Sequence, residues 1–295
     1  MIDMKYFVLY NPISGNGSGQ TRVNDLKTIL TDGELSFCDV REVGDMEGFL
    51  KGISETDALI LAGGDGTINR FVNDTAGMVL PNNFYYYPTG SGNDFLHDVK
   101  PDDRGLVYMA PYVKDLPTVT VNGKTHRFIN GIGYGIDGYC CEVGDEMRKT
   151  STKPINYTSI AIKGLLFYYK PTNATVIVDG KTYEFKKVWI APTMNGRYYG
   201  GGMMVTPDQD RLNSSRELTL CVLHGSSSLK TLIVFPSIFK GEHVKHKEMF
   251  TLIRGHEFTV KFDRPVALQI DGETVLNVSE YSVSAGVPAK DPATV

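Results

Sequence analysis

The first third of the chain alternates short apolar runs with polar, glycine-rich breaks. Tyr6–Tyr10, Ala58–Ala62 and Phe84–Tyr87 are apolar or aromatic throughout. A continuous run of that length, bounded by turn residues, reads as a strand buried on both faces. Helical stretches follow at about Thr21–Leu30 and from Ile68 to about Asp74. Strand, glycine turn and helix in repeated order predict a parallel α/β sheet. The pattern changes near Pro111–Pro117. Beyond it, VTVNGKTHRF, VIVDGKTYEF and LQIDGETVLN each place Asn-Gly or Asp-Gly between β-type runs. That dipeptide is the strongest short hairpin signal. The later part is therefore predicted to be mainly antiparallel, a sandwich or barrel. Helices interrupt it at about Gly138–Arg148 and Tyr157–Tyr169, and the three hairpins do not make a solenoid period.

Composition narrows the picture. The 295 residues suit two domains of roughly 100–200 residues each. Net charge is −4, so no global basic footprint for nucleic acid exists, and contact with an anionic membrane requires a local patch. The opening MIDMKYFVLYNP runs straight into a glycine turn, unlike a signal peptide. Ile155–Tyr169 contains Lys163 and is shorter than the roughly 20 residues of a membrane span. The four cysteines form no CxxC pair and read as reduced thiols. These features give the expectation of a cytoplasmic protein that meets lipid, if at all, from the water side.

The candidate chemistry lies in three loops, each after a predicted strand: Asn11–Gly19 (NPISGNGSG), Gly63–Thr67 (GGDGT) and Pro88–Asp94 (PTGSGND). In an open α/β sheet, ligands bind outside the carboxyl ends of the strands, so all three loops are expected at one edge. Glycine lets main-chain N–H groups approach an anion, and a following helix N-terminus adds its dipole. Ser14, Thr67, Thr89 and Ser91 offer hydroxyls to phosphate oxygens. A single such loop is an ordinary turn; three in succession predict a phosphate-binding edge. Asp65 stands among these donors. Incoming phosphates repel a carboxylate there unless it binds Mg²⁺ or takes a proton, both roles in phosphoryl transfer. Its structural alternative is an Asx-type turn. GxxxxGK[ST], HRD, DFG and GxSxG are all absent, which excludes Walker NTPases, protein kinases and α/β-hydrolases.

GGDGT at 63–67 with PTGSGNDF at 88–95 resembles the catalytic domain of the diacylglycerol kinase family, which includes sphingosine, ceramide and soluble bacterial lipid kinases. The resemblance continues in INGIGYGID (129–137), NGRYYGGGM (195–203) and QIDGE (269–273), in the same order, and is nearest the bacterial type. It implies an N-terminal α/β nucleotide-binding domain (1–115), a C-terminal β-rich domain (116–280) and a tail (281–295) returning toward the first. It implies ATP with Mg²⁺, bound between the domains. The nucleotide-binding set is Asn11, Ser14, Gly15, Gly63, Gly64, Gly66, Thr67, Asn69, Thr89, Gly90, Ser91, Gly92, Asn93 and Asp94. Asp65 is linked to the nucleotide's metal, with Asp94 as a second metal candidate, and Asn130 faces the cleft. Asp65, Glu273 and Asp271 are the catalytic candidates. Glu273 is singled out because the other two hairpins carry Lys at the matching position and a hairpin needs only Asp-Gly. The proton acceptor is Asp65 or Glu273. The acceptor substrate is a lipid hydroxyl at a membrane surface, diacylglycerol or similar.

The family's structural-metal stretch, Asp-Asp-Gly, is replaced here by Asn213-Ser214-Ser215-Arg216-Glu217. Mg²⁺ prefers charged oxygen ligands, so Arg216 is expected to stand in for that cation by pairing with a neighbouring carboxylate. Gly133–Gly138 fits GxGxxG, yet no acidic residue lies between Glu146 and Asp179 to hold a ribose, which argues against a dinucleotide site. His243 and His246, among Lys240, Lys245 and Lys247, read as a solvated face. Arg148, Lys149 and Lys153, ahead of Phe167-Tyr168-Tyr169, read either as an interfacial patch or as the polar edge of a core helix. An exposed β-edge allows a homodimer. Two rival functions stand beside the lipid kinase: a kinase of NAD or another soluble alcohol, and a nucleotide- or lipid-binding module without catalysis.

Overall fold

The computed structural model describes residues 4–150 and 155–286. The chain packs as two compact units, Met1–Lys114 and Asp115–Val295.

The first unit is a five-stranded sheet in the order β2-β1-β3-β4-β5. Strands β1 (Met4–Tyr10), β2 (Gly33–Asp39), β3 (Ala58–Gly63) and β4 (Phe84–Pro88) run parallel, and the two-residue β5 (Val107–Tyr108) pairs antiparallel with β4. The three strands read from continuous apolar runs are the central ones, and every residue of β3 is buried. Strand β2 was not anticipated. It is an edge strand, mostly half-buried, and its GELSFCD sequence interleaves polar residues too densely for the pattern to show.

The expected helix at Thr21–Leu30 is present as consecutive short helical segments, Gly19–Arg22, Val23–Asp25 and Leu26–Ile29, preceded by a further one at Ser14–Gly17. Its buried residues Val23, Leu26 and Leu30 keep helical spacing and pack with Tyr6, Val8 and Ile60. The second helix spans Asp65–Asp74, starting three residues before the apolar pattern begins.

The second unit is built on a ten-stranded antiparallel sheet. Its strands are β6 (Thr118–Val121), β7 (Lys124–Arg127), β8 (Gly131–Tyr134), β9 (Thr172–Val178), β10 (Lys181–Val188), β11 (Thr193–Met194), β14 (Leu218–Leu223), β15 (Phe250–Gly255), β16 (Glu257–Ile270) and β17 (Glu273–Ser284). A separate two-stranded hairpin pairs β12 (Tyr198–Tyr199) with β13 (Met203–Met204). The Asn122-Gly123, Asp179-Gly180 and Asp271-Gly272 turns connect β6 to β7, β9 to β10 and β16 to β17. In each, the Asn or Asp adopts positive φ, as a two-residue hairpin turn requires.

The long β16 pairs with β17 along one side. On the other it meets β9 over Phe258–Phe262 and β8 over Leu268–Ile270, while the β16–β17 pairing shifts register between Lys261 and Leu268. Trp189, Tyr134, Phe262 and Tyr281 are buried in this unit's core, with the Tyr134 and Phe262 rings stacked at 3.8 Å. Strand β17 continues to Ser284, alternating buried Tyr281 and Val283 with Ser282. Residues 281–284 are therefore sheet, not tail, and 287–295 lie outside the described residues. The predicted helices appear as Ile136–Thr150 and as Tyr157–Lys163 followed by a wider turn at Gly164–Tyr168.

Candidate functional site

Strands β1, β3 and β4 are parallel neighbours, so their carboxyl ends release the three glycine loops at one sheet margin. The order β2-β1-β3-β4 reverses direction between β1 and β3, the crevice where such sheets hold ligands. Main-chain bonds knit the loops together. Asn11 N donates to Ala62 O at 2.9 Å, and the N–H groups of Thr89 and Gly90 both donate to Gly63 O, at 2.8 and 3.0 Å. The Ser14 and Thr89 hydroxyls lie 2.7 Å apart, and Asn11 Nδ2 donates to Thr67 Oγ1 at 3.1 Å. The buried Tyr86 hydroxyl donates to Gly63 O at 3.0 Å; burial pushes its pKa up, so it remains a donor.

Two glycines are dictated by space. A Cβ on Gly90 would stand 2.4 Å from Gly64 Cα, so the second and third loops touch backbone to backbone. Gly15 has φ of +58°, and a Cβ there would meet Thr89 O at 2.4 Å. The first and third loops are thus in contact as well.

Asp65 is the main tie. Its Oδ2 accepts the Asp94 N–H at 2.9 Å and its Oδ1 the Phe95 N–H at 2.8 Å. Those residues open the Asp94–Asp98 helix, whose first N–H groups have no partner within the helix. The carboxylate therefore caps a helix distant in sequence, a broader job than an Asx turn. Asn93, just before it, is left-handed (φ 50°), and its Nδ2 donates to Gly90 O at 3.0 Å. Sequence reasoning missed Arg22. Its Nη1 donates to Thr89 O at 3.2 Å and Gly90 O at 3.1 Å, placing a cation against the third loop. The only hint was a basic residue in the helical stretch after the first loop.

The predicted residues divide by exposure. The Ser14, Thr67 and Thr89 hydroxyls are engaged in loop-to-loop bonds, and Asn69 and Asp94 are buried. Gly66, Ser91 and Gly92 are exposed. Gly66 lies in the first turn of the Asp65–Asp74 helix, whose N-cap, Gly64, provides no side-chain bond. This turn and the Ser91-Gly92 tip form the accessible donor surface. Among the described residues, no three His, Cys, Asp or Glu side chains gather into a metal cage. The margin offers a metal a single carboxylate, Asp65, held in place by an N–H on each oxygen. That fits Mg²⁺ arriving with phosphates, which takes only one or two carboxylates from protein.

In the second unit, Asp271 proves to be a positioning residue. Its Oδ2 accepts the Ile129 N–H at 2.7 Å, and its Oδ1 accepts those of Asn130 and Gly131, both at 2.9 Å. Three bonds tie this buried carboxylate to β8 and the residues before it. Glu273, two residues on, is exposed, and its carboxylate makes no hydrogen bond among the described residues. Asn130 is buried, and its Oδ1 accepts from Arg211 Nη2 at 3.2 Å.

The buried cation of this region is Arg211, not Arg216. Arg211 Nη1 also donates to Ile129 O at 3.0 Å. Arg216 has φ of 60°, its buried Nε finds no hydrogen-bond partner, and no carboxylate pairs with it among the described residues. The Asn213 amide holds this loop instead, its Oδ1 accepting the Glu217 N–H and its Nδ2 donating to Glu217 O.

The GxGxxG segment packs rather than binds. A Cβ on Gly138 would lie 2.0 Å from Ala267 O of β16, so that glycine seats a helix on a sheet. Beside it, Asp137 is buried. Its Oδ2 accepts the Tyr199 hydroxyl at 2.9 Å and its Oδ1 has no partner. Burial pushes this carboxyl up to about 6, against the lowering effect of the Tyr199 bond. His243 is also buried, its Nε2 2.9 Å from Val205 O and its ring edge-on to Phe250, so it belongs to the core and not to a solvated face.

Comparison with known proteins agrees with this division. Residues 5–110 match the family model of the diacylglycerol kinase catalytic domain. Residues 130–287 match that of the YegS C-terminal NAD kinase beta sandwich-like domain. A diacylglycerol kinase of Mycobacterium tuberculosis is 26% identical over 84% of this chain and 82% of its own length. A diacylglycerol kinase of Bacillus subtilis is 25% identical over 75% of this chain and 72% of its own. A diacylglycerol kinase crystal structure from Bacillus anthracis shares the fold, with a TM-score of 0.58 at 17% identity, covering 99% of this chain and 98% of that one.

Proposed function

We propose that this chain, which belongs to the bacterial family of diacylglycerol-kinase-like lipid kinases, transfers the γ-phosphate of ATP to a lipid hydroxyl such as that of diacylglycerol. One observation carries the reading. Three glycine loops from separate strands are clamped into a single margin by Asp65, Arg22 and the Gly64–Gly90 contact. A margin of N–H donors at a helix N-terminus suits a polyphosphate.

The roles of the chain's own groups follow from their freedom. The Gly66 turn and the Ser91-Gly92 tip bind phosphate oxygens, and Arg22 supplies positive charge from beneath the third loop. Mg²⁺ bound with the nucleotide would be held by Asp65 and would offset charge on the transferring phosphoryl. Asp65 is tied by two N–H donors, so it cannot swing to carry a proton away. Glu273 is exposed and untied, and we assign it to accept the proton of the acceptor hydroxyl.

The test is transfer of label from γ-labelled ATP to a panel of lipid extracts. The reading predicts label in chloroform-extractable product. Label confined to a water-soluble alcohol would replace it with the soluble-substrate kinase, and ATP binding without transfer would replace it with the non-catalytic module.

A further inference from the structure

Most cations of the second unit lie at its surface. Arg148 pairs with Asp145 at 2.8 Å and Lys149 with Glu146 at 2.5 Å, and Lys153 lies outside the described residues. Among the described residues, Arg211 is the one Lys or Arg that is buried, at 7% exposure. A buried guanidinium needs acceptors. Two of them are on neighbouring residues: Nη1 donates to Ile129 O at 3.0 Å and Nη2 to Asn130 Oδ1 at 3.2 Å. The Ile129 C=O and the Asn130 N–H belong to the same peptide group. Arg211 takes its oxygen end, and Asp271 Oδ1 takes its N–H end at 2.9 Å. One peptide therefore stands between a buried guanidinium and a buried carboxylate, its dipole aligned with both charges. Hydrogen bonds in series polarise and strengthen one another. A Lys ammonium lacks the planar fork that reaches Ile129 O and Asn130 Oδ1 together.

The relay ends beside the proton acceptor assigned above. Asp271 opens the Asp271-Gly272 turn, the Gly272 N–H donates to Gln269 Oε1 at 2.6 Å, and Glu273 begins β17 opposite Ile270. Residues 129–131, which give Asp271 its three N–H groups, are held on their carbonyl side by Arg211 and Asn195. Asn195 Nδ2 donates to Ile129 O at 2.8 Å and Asn195 N to Asn130 O at 2.9 Å. The main chain of Glu273 thus stands two residues from a carboxylate whose partners are fixed from both sides.

The loop after Arg211 is built from donors rather than metal ligands. Asn213 Nδ2 donates to both Asp210 O and Glu217 O, and Gln209 Nε2 donates to Glu217 O at 2.9 Å. Mg²⁺ and Ca²⁺ bind oxygens of this kind, and here neutral amides take them. Asp210 Oδ1 accepts the Leu212 N–H and Glu217 Oε2 accepts the Ser215 hydroxyl. The stretch that stands in place of Asp-Asp-Gly therefore does not fit the family's structural metal.

We propose that Arg211 is a positioning residue for phosphoryl transfer. Through the Ile129–Asn130 peptide it fixes Asp271, and with it the hairpin that presents Glu273, so that the second unit needs no metal of its own. The link to Glu273 rests on the lipid-kinase reading; the independence from metal does not.

Arg211→Lys and Glu273→Gln, made singly and together, test it, with thermal melting to show that each is folded. Arg211→Lys is expected to lower kcat for lipid phosphorylation by roughly tenfold to 100-fold, the scale of a misplaced catalytic group, at unchanged KM for ATP. Because Arg211 acts through Glu273, the double variant is expected to be no slower than Glu273→Gln alone. Wild-type kcat in Arg211→Lys, or a double variant slowed by the product of the two single effects, overturns the proposal. Wild-type kcat in Glu273→Gln contradicts the proton-acceptor reading itself; failure of this inference alone leaves Glu273→Gln slow and Arg211→Lys fast. The wild-type chain carries the second arm, which holds even where Arg211→Lys does not fold. Without nucleotide it is expected to melt at the same temperature in EDTA, in Mg²⁺ and in Ca²⁺. A rise in melting temperature with either metal that Asp210→Asn or Glu217→Gln removes overturns the metal-free second unit.

Discussion

The carboxylate of Asp65 accepts the main-chain N–H of Asp94 at 2.9 Å, so the second glycine loop holds the end of the third and the start of the helix that follows it. The proposed metal-binding role and the observed positioning role fall on one side chain, and substitutions can separate them. Asp65→Ala leaves the Asp94 and Phe95 N–H groups without their acceptor and is expected to destabilise the first unit by roughly 1–3 kcal/mol, while abolishing transfer. Asp65→Asn keeps one oxygen acceptor. It is expected to melt close to wild type and still lose transfer by about 100-fold or more, the scale of a lost charged group at a reacting centre. Denaturant melts beside transfer rates check both.

Gly90→Ala addresses the loop contact. The added methyl would stand 2.4 Å from Gly64 Cα, backbone that cannot yield without moving a loop. The expected result is a loss of about 1–3 kcal/mol, as for overpacking elsewhere, together with weakened ATP binding by calorimetry. Full ATP affinity in this variant would show that the two loops do not act as one site.

Asp271 and Glu273 are two residues apart and are predicted to behave oppositely. Asp271→Ala strips three buried N–H groups of their acceptor and is expected to cost about 3 kcal/mol of stability. Glu273→Gln, on an exposed side chain, is expected to leave the melting curve unchanged and lower kcat with little effect on the KM for ATP. A Glu273→Gln enzyme with wild-type kcat would remove it as the proton acceptor.

Asp137 gives the second unit a pH dependence. Burial raises its folded-state pKa from 3.8 to about 6, so the folded chain holds this proton more tightly than the unfolded chain. The resulting stability is complete below about pH 4 and is lost as pH rises through about 6, by about 3 kcal/mol at most. Urea midpoints measured at pH 4.5 and 7.0 are expected to differ less in Asp137→Asn than in wild type. An equal difference would place the titration elsewhere.

What the sequence made legible follows from the range of each interaction. The strands β1, β3 and β4 were readable because their sequences are continuous apolar or aromatic runs, although only β3 is buried along its whole length. The hairpins were readable because Asn-Gly and Asp-Gly act within four residues. The gathering of the loops followed from strand order alone. The Asp65 clamp joins positions 29 and 30 residues apart, and Arg22 reaches across 67 residues to Thr89. No local pattern records such contacts. Arg216 was misjudged for the same reason: whether Arg211 or Arg216 turns inward depends on the left-handed turn at 216. Glycines 133–138 looked like a cofactor loop because close packing and anion binding call for the same missing side chain.

The central claim is phosphoryl transfer to lipid at the margin that Asp65 clamps. Its most direct test is the rate at which label from γ-labelled ATP enters diacylglycerol in mixed micelles, wild type against Asp65→Asn, with both proteins shown to be folded. The account predicts chloroform-soluble label from the wild-type chain and almost none from the variant. Equal rates in the two, or no organic label with any lipid offered to the wild-type chain, would contradict it.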